Sequence, residues 1–179
     1  MRGYIGGKGG EYDLMAGYSR EIISYKQKAM ERILNTDTIV SALKARDAKG
    51  NPLEIDELPY RFIFPFGYIP QTLEIAGCYI TIEVSMPSVS TVNYFFKDVL
   101  MLITVICHQD LMQMTDEHTG ATRIDYIAVE LDKLFNNKEN SIGTFDMELV
   151  SNTEGSVDSV HRYRQLRFKT KELRRDSCG

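Results

Sequence analysis

The sequence predicts an α+β fold: a two-layer sandwich, mainly antiparallel sheet with helices packed on one face, plus extended arms. Three observations lead there. Between 122 and 135, Ile124, Ile127, Leu131, Leu134 and Phe135 recur at helical spacing while Asp125, Glu130, Asp132 and Lys133 fall on the other side, so one stripe must lie on something apolar. Phe145, Met147 and Leu149 then alternate with Thr144, Asp146 and Glu148, and Leu166 and Phe168 continue the apolar set on a second strand. Upstream, Cys78, Ile80, Ile82, Val84 and Met86 alternate with Tyr79, Thr81, Glu83 and Ser85 over one clear strand.

In chain order, residues 1–12 form a glycine-rich N-terminal arm, 13–170 a single α+β domain and 171–179 a charged C-terminal tail. Arg2 to Glu11 hold five glycines, which cost backbone entropy to order, and no Lys-Ser/Thr pair follows them as a phosphate loop needs. Asp13 to Leu34 is helical, with Ile22, Tyr25 or Lys26, Ala29 or Met30, and Ile33 on one face. A second short helix spans Thr38 to Arg46, with Asp37 as its N-cap, before the turn Asp47 to Pro52. Pro59 to Pro70 is dense in aromatics and interrupted by prolines, so it is an edge strand or an extended loop and not a central strand. Its rings either fold back onto the core or dock on a partner.

Val92 to Phe96 is a bulged continuation or a short strand, and Val99 to His108, apolar on both faces, is a central strand covered by helices on one side and by a loop or another subunit on the other. Gln109 to Ala121 is a long polar loop. After the helix come the turn Asn136 to Ser141, a strand Ile142 to Ser151, a polar turn Asn152 to Asp158, a strand Ser159 to Lys169, and ten residues of exposed tail.

With 179 residues, 43% hydrophobic and 26% charged, the chain is large enough to bury one core unaided. Its net charge of −4 does not suit a protein that coats phosphates. Arg2 and glycines follow Met1 in place of an apolar run, and Val99 to Cys107 is too short to span a bilayer, so a soluble protein made in a cytoplasm is expected. Cys78, Cys107 and Cys178 share no metal-ligand spacing, and their odd count argues against a complete disulfide framework and for a reducing compartment.

The search for chemistry returns no catalytic, cofactor or metal residues. His118 with Asp116 and Glu117 could hold a cation but reads as loop polarity. Cys107 and His108, adjacent on a strand, point to opposite faces and cannot act as nucleophile and base. Arg162 and Arg164 share one strand face and Arg167 and Lys169 the other, which suits charge pairing across a subunit boundary or ordinary surface charge better than one phosphate site.

The order of elements, together with YIAVELDKLFNN, IGTFDMELVSNTEGSV and YRQLRFKT, resembles the tail-terminator (tail completion, neck) proteins of long-tailed bacteriophages, over roughly Leu73 to Lys169. That resemblance implies a small subunit in a closed homo-oligomeric ring, typically a hexamer, on the tail tube. Such a ring stops tube polymerisation, docks the head-side connector or adaptor protein and lets DNA pass without sequence-specific binding. No cofactor and no membrane are implied, and the protein would reside in the virion after assembly in the host cytoplasm. Another neck component, a related contractile-machine cap protein, or a small enzyme are the competing readings. The expected interface residues are Tyr4, Ile5, Tyr60, Phe62, Phe64, Phe66, Arg162, Arg164, Arg167 and Lys169.

Overall fold

A computed structural model describes residues 18–70, 76–87, 96–114, 120–136, 142–143 and 145–173. The N-terminal arm with Tyr4 and Ile5, the 116–118 carboxylate and histidine group, residues 92–95, most of the turn after 136, and Cys178 lie outside them. The described chain is an α+β fold of three helices and a five-stranded sheet. The helices are α1 (Tyr18–Leu34), α2 (Asp37–Leu43) and α3 (Arg123–Phe135). The strands are β1 (Ile63–Phe64), β2 (Cys78–Ser85), β3 (Phe96–His108), β4 (Glu148–Ser156) and β5 (His161–Leu173), in the order β1-β2-β3-β5-β4. Only β1 and β2 pair in parallel; the other neighbours are antiparallel.

The helices lie on one face, α1 over β2 and α3 over β3 and β5, with α2 packed against both helices. The stripes anticipated from spacing are the ones buried: Tyr25, Ala29 and Ile33 on α1, and Ile124, Ile127, Leu131 and Phe135 on α3. They meet Ile80, Ile82, Met101, Ile103, Val105, Leu166 and Phe168 in one continuous core. β3 is the central strand, as its two apolar faces require, and it begins at Phe96.

Four expectations are corrected. Thr36, not Asp37, is the N-cap of α2, and its hydroxyl donates 2.8 Å to the Arg32 carbonyl at the end of α1; Asp37 becomes the first helical residue, where the helix dipole favours a carboxylate. That helix stops at Leu43 because Lys44 turns left-handed (φ +51°). The penultimate strand runs Glu148–Ser156, not Ile142 to Ser151, and the turn is confined to 157–160. β4 is an edge strand that leaves the core after Leu149, so its ladder continues through Asn152, Thr153 and Glu154, where the apolar alternation has ended. The last strand continues through Thr170 to Leu173, beyond the expected start of the tail, because Phe96 to Val99 supply partners for it and Thr170 is buried.

The fourth correction concerns the cysteines. Antiparallel register sets Cys78 opposite Cys107, with Cα atoms 4.1 Å apart, and the two form a disulfide buried on the helix side. A separation of 29 residues carries no sign of this pairing; only the register of β2 on β3 creates it. His108 points to the other face, where its ring meets that of His161 at 5.3 Å.

Candidate interaction surface

The aromatic segment is built by its turn. Glu54 and Glu57 cap a single 3-10 turn, Ile55–Glu57, and Leu58 is buried behind it. The Leu58 carbonyl then accepts from the amides of Arg61, Phe62 and Ile63 at 3.2, 2.9 and 3.1 Å, which forces the chain into a tight coil. At its apex Tyr60 is left-handed, φ +61°, an unusual state for a bulky residue, held by its amide donating 2.9 Å to the Ile63 carbonyl. Pro59, Pro65 and Pro70 restrict the ladder that follows, and β1 keeps only two residues at the sheet edge, as the prolines foretell.

Strand alternation sorts the side chains. Ile63 enters the main core, while Phe62 and Phe64 turn to the sheet face away from the helices, where Phe64, Tyr79 and Ile106 form a second buried cluster. Phe62 stacks on Tyr79 at 5.4 Å and Tyr68 on Phe64 at 4.0 Å. Phe66 meets Phe64 edge-on at 5.5 Å, and Tyr60 reaches Phe66 at 6.5 Å. Burial is therefore graded along one series of rings. Phe64 is 5% exposed and belongs to the fold, whereas Phe66 at 45%, Tyr60 at 65% and neighbouring Ile69 at 70% present apolar surface to solvent. The first alternative, rings folded back, holds for Phe62, Phe64 and Tyr68, while Tyr60 and Phe66 stay exposed. The overlooked signal is the two-residue spacing of Tyr60, Phe62, Phe64, Phe66 and Tyr68.

The four basic residues of β5 divide between the faces as their spacing requires. Arg162 and Arg164 are on the helix side. Arg162 donates 3.0 Å to the Asp158 carbonyl of its own hairpin, and Arg164 pairs with Asp125 of α3 and, at 2.8 Å, with Glu154 of β4. Burial alone would raise the Asp125 carboxyl, but the Thr122 hydrogen bond and the Arg164 charge outweigh it and leave the group below its ordinary value. On the opposite face Arg167 is exposed and Lys169 pairs with Asp98 at 3.1 Å. Arg164 thus ties the sheet to α3, Arg162 holds its own hairpin, and Arg167 is the exposed member of the set.

Two polar assemblies escaped the sequence reading. Arg123, buried at the start of α3, donates to the carbonyls of Leu111 at 2.6 Å, Ala42 at 2.8 Å and Gln113 at 3.4 Å, tying the end of α2 and the loop after β3 to α3. At the other end of the sheet Lys97, fully buried on the helix side of β3, pairs with Glu21 of α1. Beside it Tyr25 donates 2.5 Å to Glu172, and burial, with that carboxylate, pushes the phenol upward. Among the described residues no three His, Cys, Asp or Glu side chains are grouped to hold a metal ion, and no helix is long and apolar enough to cross a membrane.

Residues 36–170 match the model of the YomW family. The chain belongs to the YomW family. The family name points to a phage-associated protein, and the matched span reaches from the N-cap of α2 to Thr170 of β5, so the YomW region contains β1 to β4, most of β5, the aromatic series and the β5 arginines, and leaves α1 outside. No curated protein matches the chain.

Proposed function

We propose that this YomW-family chain is a structural subunit of the phage neck. Copies of it form a ring, expected to be a hexamer, on the tail tube; the ring ends tube polymerisation and joins the tail to the head-side connector while DNA passes through. The single observation that carries this reading is the exposed Tyr60, Phe66 and Ile69 surface beside the sheet edge. Aromatic surface held outward on a rigid base is what subunit interfaces use, since large rings bury much area with few rotamers to order. The two-residue β1 edge beside them offers little backbone for strand addition, so on this side of the sheet the rings, and not a shared ladder, would hold the neighbour. Tyr4 and Ile5 of the arm and the Arg167 and Lys169 face supply further contacts in this assembly. Membership of a phage-associated family and a net charge of −4, which does not grip the DNA that passes, support the same reading. The role includes no catalysis, cofactor or metal.

The test is tube length. Tail-tube subunits polymerised with the purified protein should give tubes capped at one end and of arrested length in electron micrographs. Uncapped tubes that grow as they do without it would overturn the assignment.

A further inference from the structure

A groove of about 640 Å³ runs between the C-terminal half of α1 and the 3-10 turn at 55–57. Met30, Leu34 and Ile55 form its apolar floor; Glu31, Glu54 and Asp56 stand on its rim, and no cationic side chain lines it among the described residues. An apolar floor inside an acidic rim fits a segment with an apolar anchor between two cations. The chain itself carries such a segment: Arg2 and Lys8 flank Tyr4 and Ile5, with no acidic residue before Glu11. We propose that residues 2–8 of a neighbouring copy occupy this groove, Tyr4 and Ile5 on its floor and Arg2 and Lys8 against its rim. The proposal rests on the reading of the chain as a ring subunit and names one contact of that ring.

The arm has the length to reach its own groove or a neighbour's, and the ring reading selects the neighbour's. The described chain begins in α1 at Tyr18, whereas the groove lies at the far end of the same helix, from Gln27 to Asn35, about 14 to 26 Å further on at 1.5 Å per residue. A subunit's own arm must double back along α1 to reach it. The 17 residues before α1 span up to roughly 55–60 Å when extended, enough to cross to an adjacent subunit.

The experiment uses the chain lacking residues 2–11, a fluorescent peptide of residues 1–11, and the full chain. Anisotropy should show the peptide binding the truncated chain, with affinity that falls as salt is raised. Binding should weaken at least tenfold in the Glu31→Lys, Asp56→Lys variant, in which Glu54 is left untouched because it caps the 3-10 turn. In light scattering the full chain should be an oligomer whose mass drops in the same variant, with its circular dichroism unchanged. No binding to the truncated chain, or binding indifferent to charge reversal, overturns the proposal. So does a monomeric full chain, whether its own arm excludes the peptide or its groove still accepts it. A ring that survives the double variant leaves the neck reading standing and removes this contact alone.

Discussion

Tyr60 adopts a backbone conformation that costs a residue with a Cβ about 1–2 kcal/mol, yet its side chain is 65% exposed and contributes little to the core. In the proposed assembly this strained position has a role, because its outward ring contacts the next subunit. Tyr60→Gly should therefore raise the unfolding free energy in urea by roughly 0.5–1 kcal/mol, since glycine takes the left-handed state without strain, while weakening self-association. A variant that loses stability and assembles normally would contradict this account. Asp158 shows the opposite economy, with every contact turned inward. Its carboxylate accepts from the His161 ring at 2.9 Å and from the Val160 and His161 amides at 2.8 and 2.7 Å, which lowers it to about 2 from an ordinary 3.8. A value depressed in the folded state means stability that is present above pH 3.8 and lost as pH falls through about 2. Asp158→Asn should flatten the acid limb of the unfolding profile across that window, followed by circular dichroism; an unchanged limb would show that the hairpin turn does not set it.

At the level of elements, α3 is where the layers are joined. Its apolar stripe was legible from spacing alone, and Leu131, fully buried on the sheet, marks the centre of that stripe. Leu131→Asp would bury a charge without a partner, and the chain should fail to fold, read as loss of cooperative thermal unfolding. Arg123 on the same helix was not legible: a cation at a helix start gives no hint that three carbonyls from two other segments converge on it. Replacing it with Met keeps the stem but orphans those acceptors, and a loss of about 2 kcal/mol in urea unfolding is expected. Lys97 was hidden for the same reason, since its partner Glu21 lies on α1, far away in sequence. The limit of β4 was misread because an edge strand need not alternate, and its pairing with β5 is set by backbone ladders that residue type does not record. The Cys78 and Cys107 pairing is a fact of register, invisible until β2 is laid on β3.

Taken together, the described residues form a sandwich with one face of its sheet buried under helices and the other partly covered among these residues, by the aromatic segment at one end. Rings such as Phe64 and Tyr79 complete the fold there, and Phe66, Tyr60 and Ile69 extend the same apolar surface outward to solvent. That continuity from core to surface is the basis for reading this YomW-family chain as an assembly subunit. The most direct measurement is the solution mass of the purified protein by light scattering, beside the Phe66→Ser variant. A closed oligomer of defined mass that falls to smaller species in the variant, with its fold intact by circular dichroism, is the predicted result. A wild-type chain that stays monomeric at high concentration, or a ring that the variant leaves unchanged, would contradict the claim that the aromatic edge joins one subunit to the next.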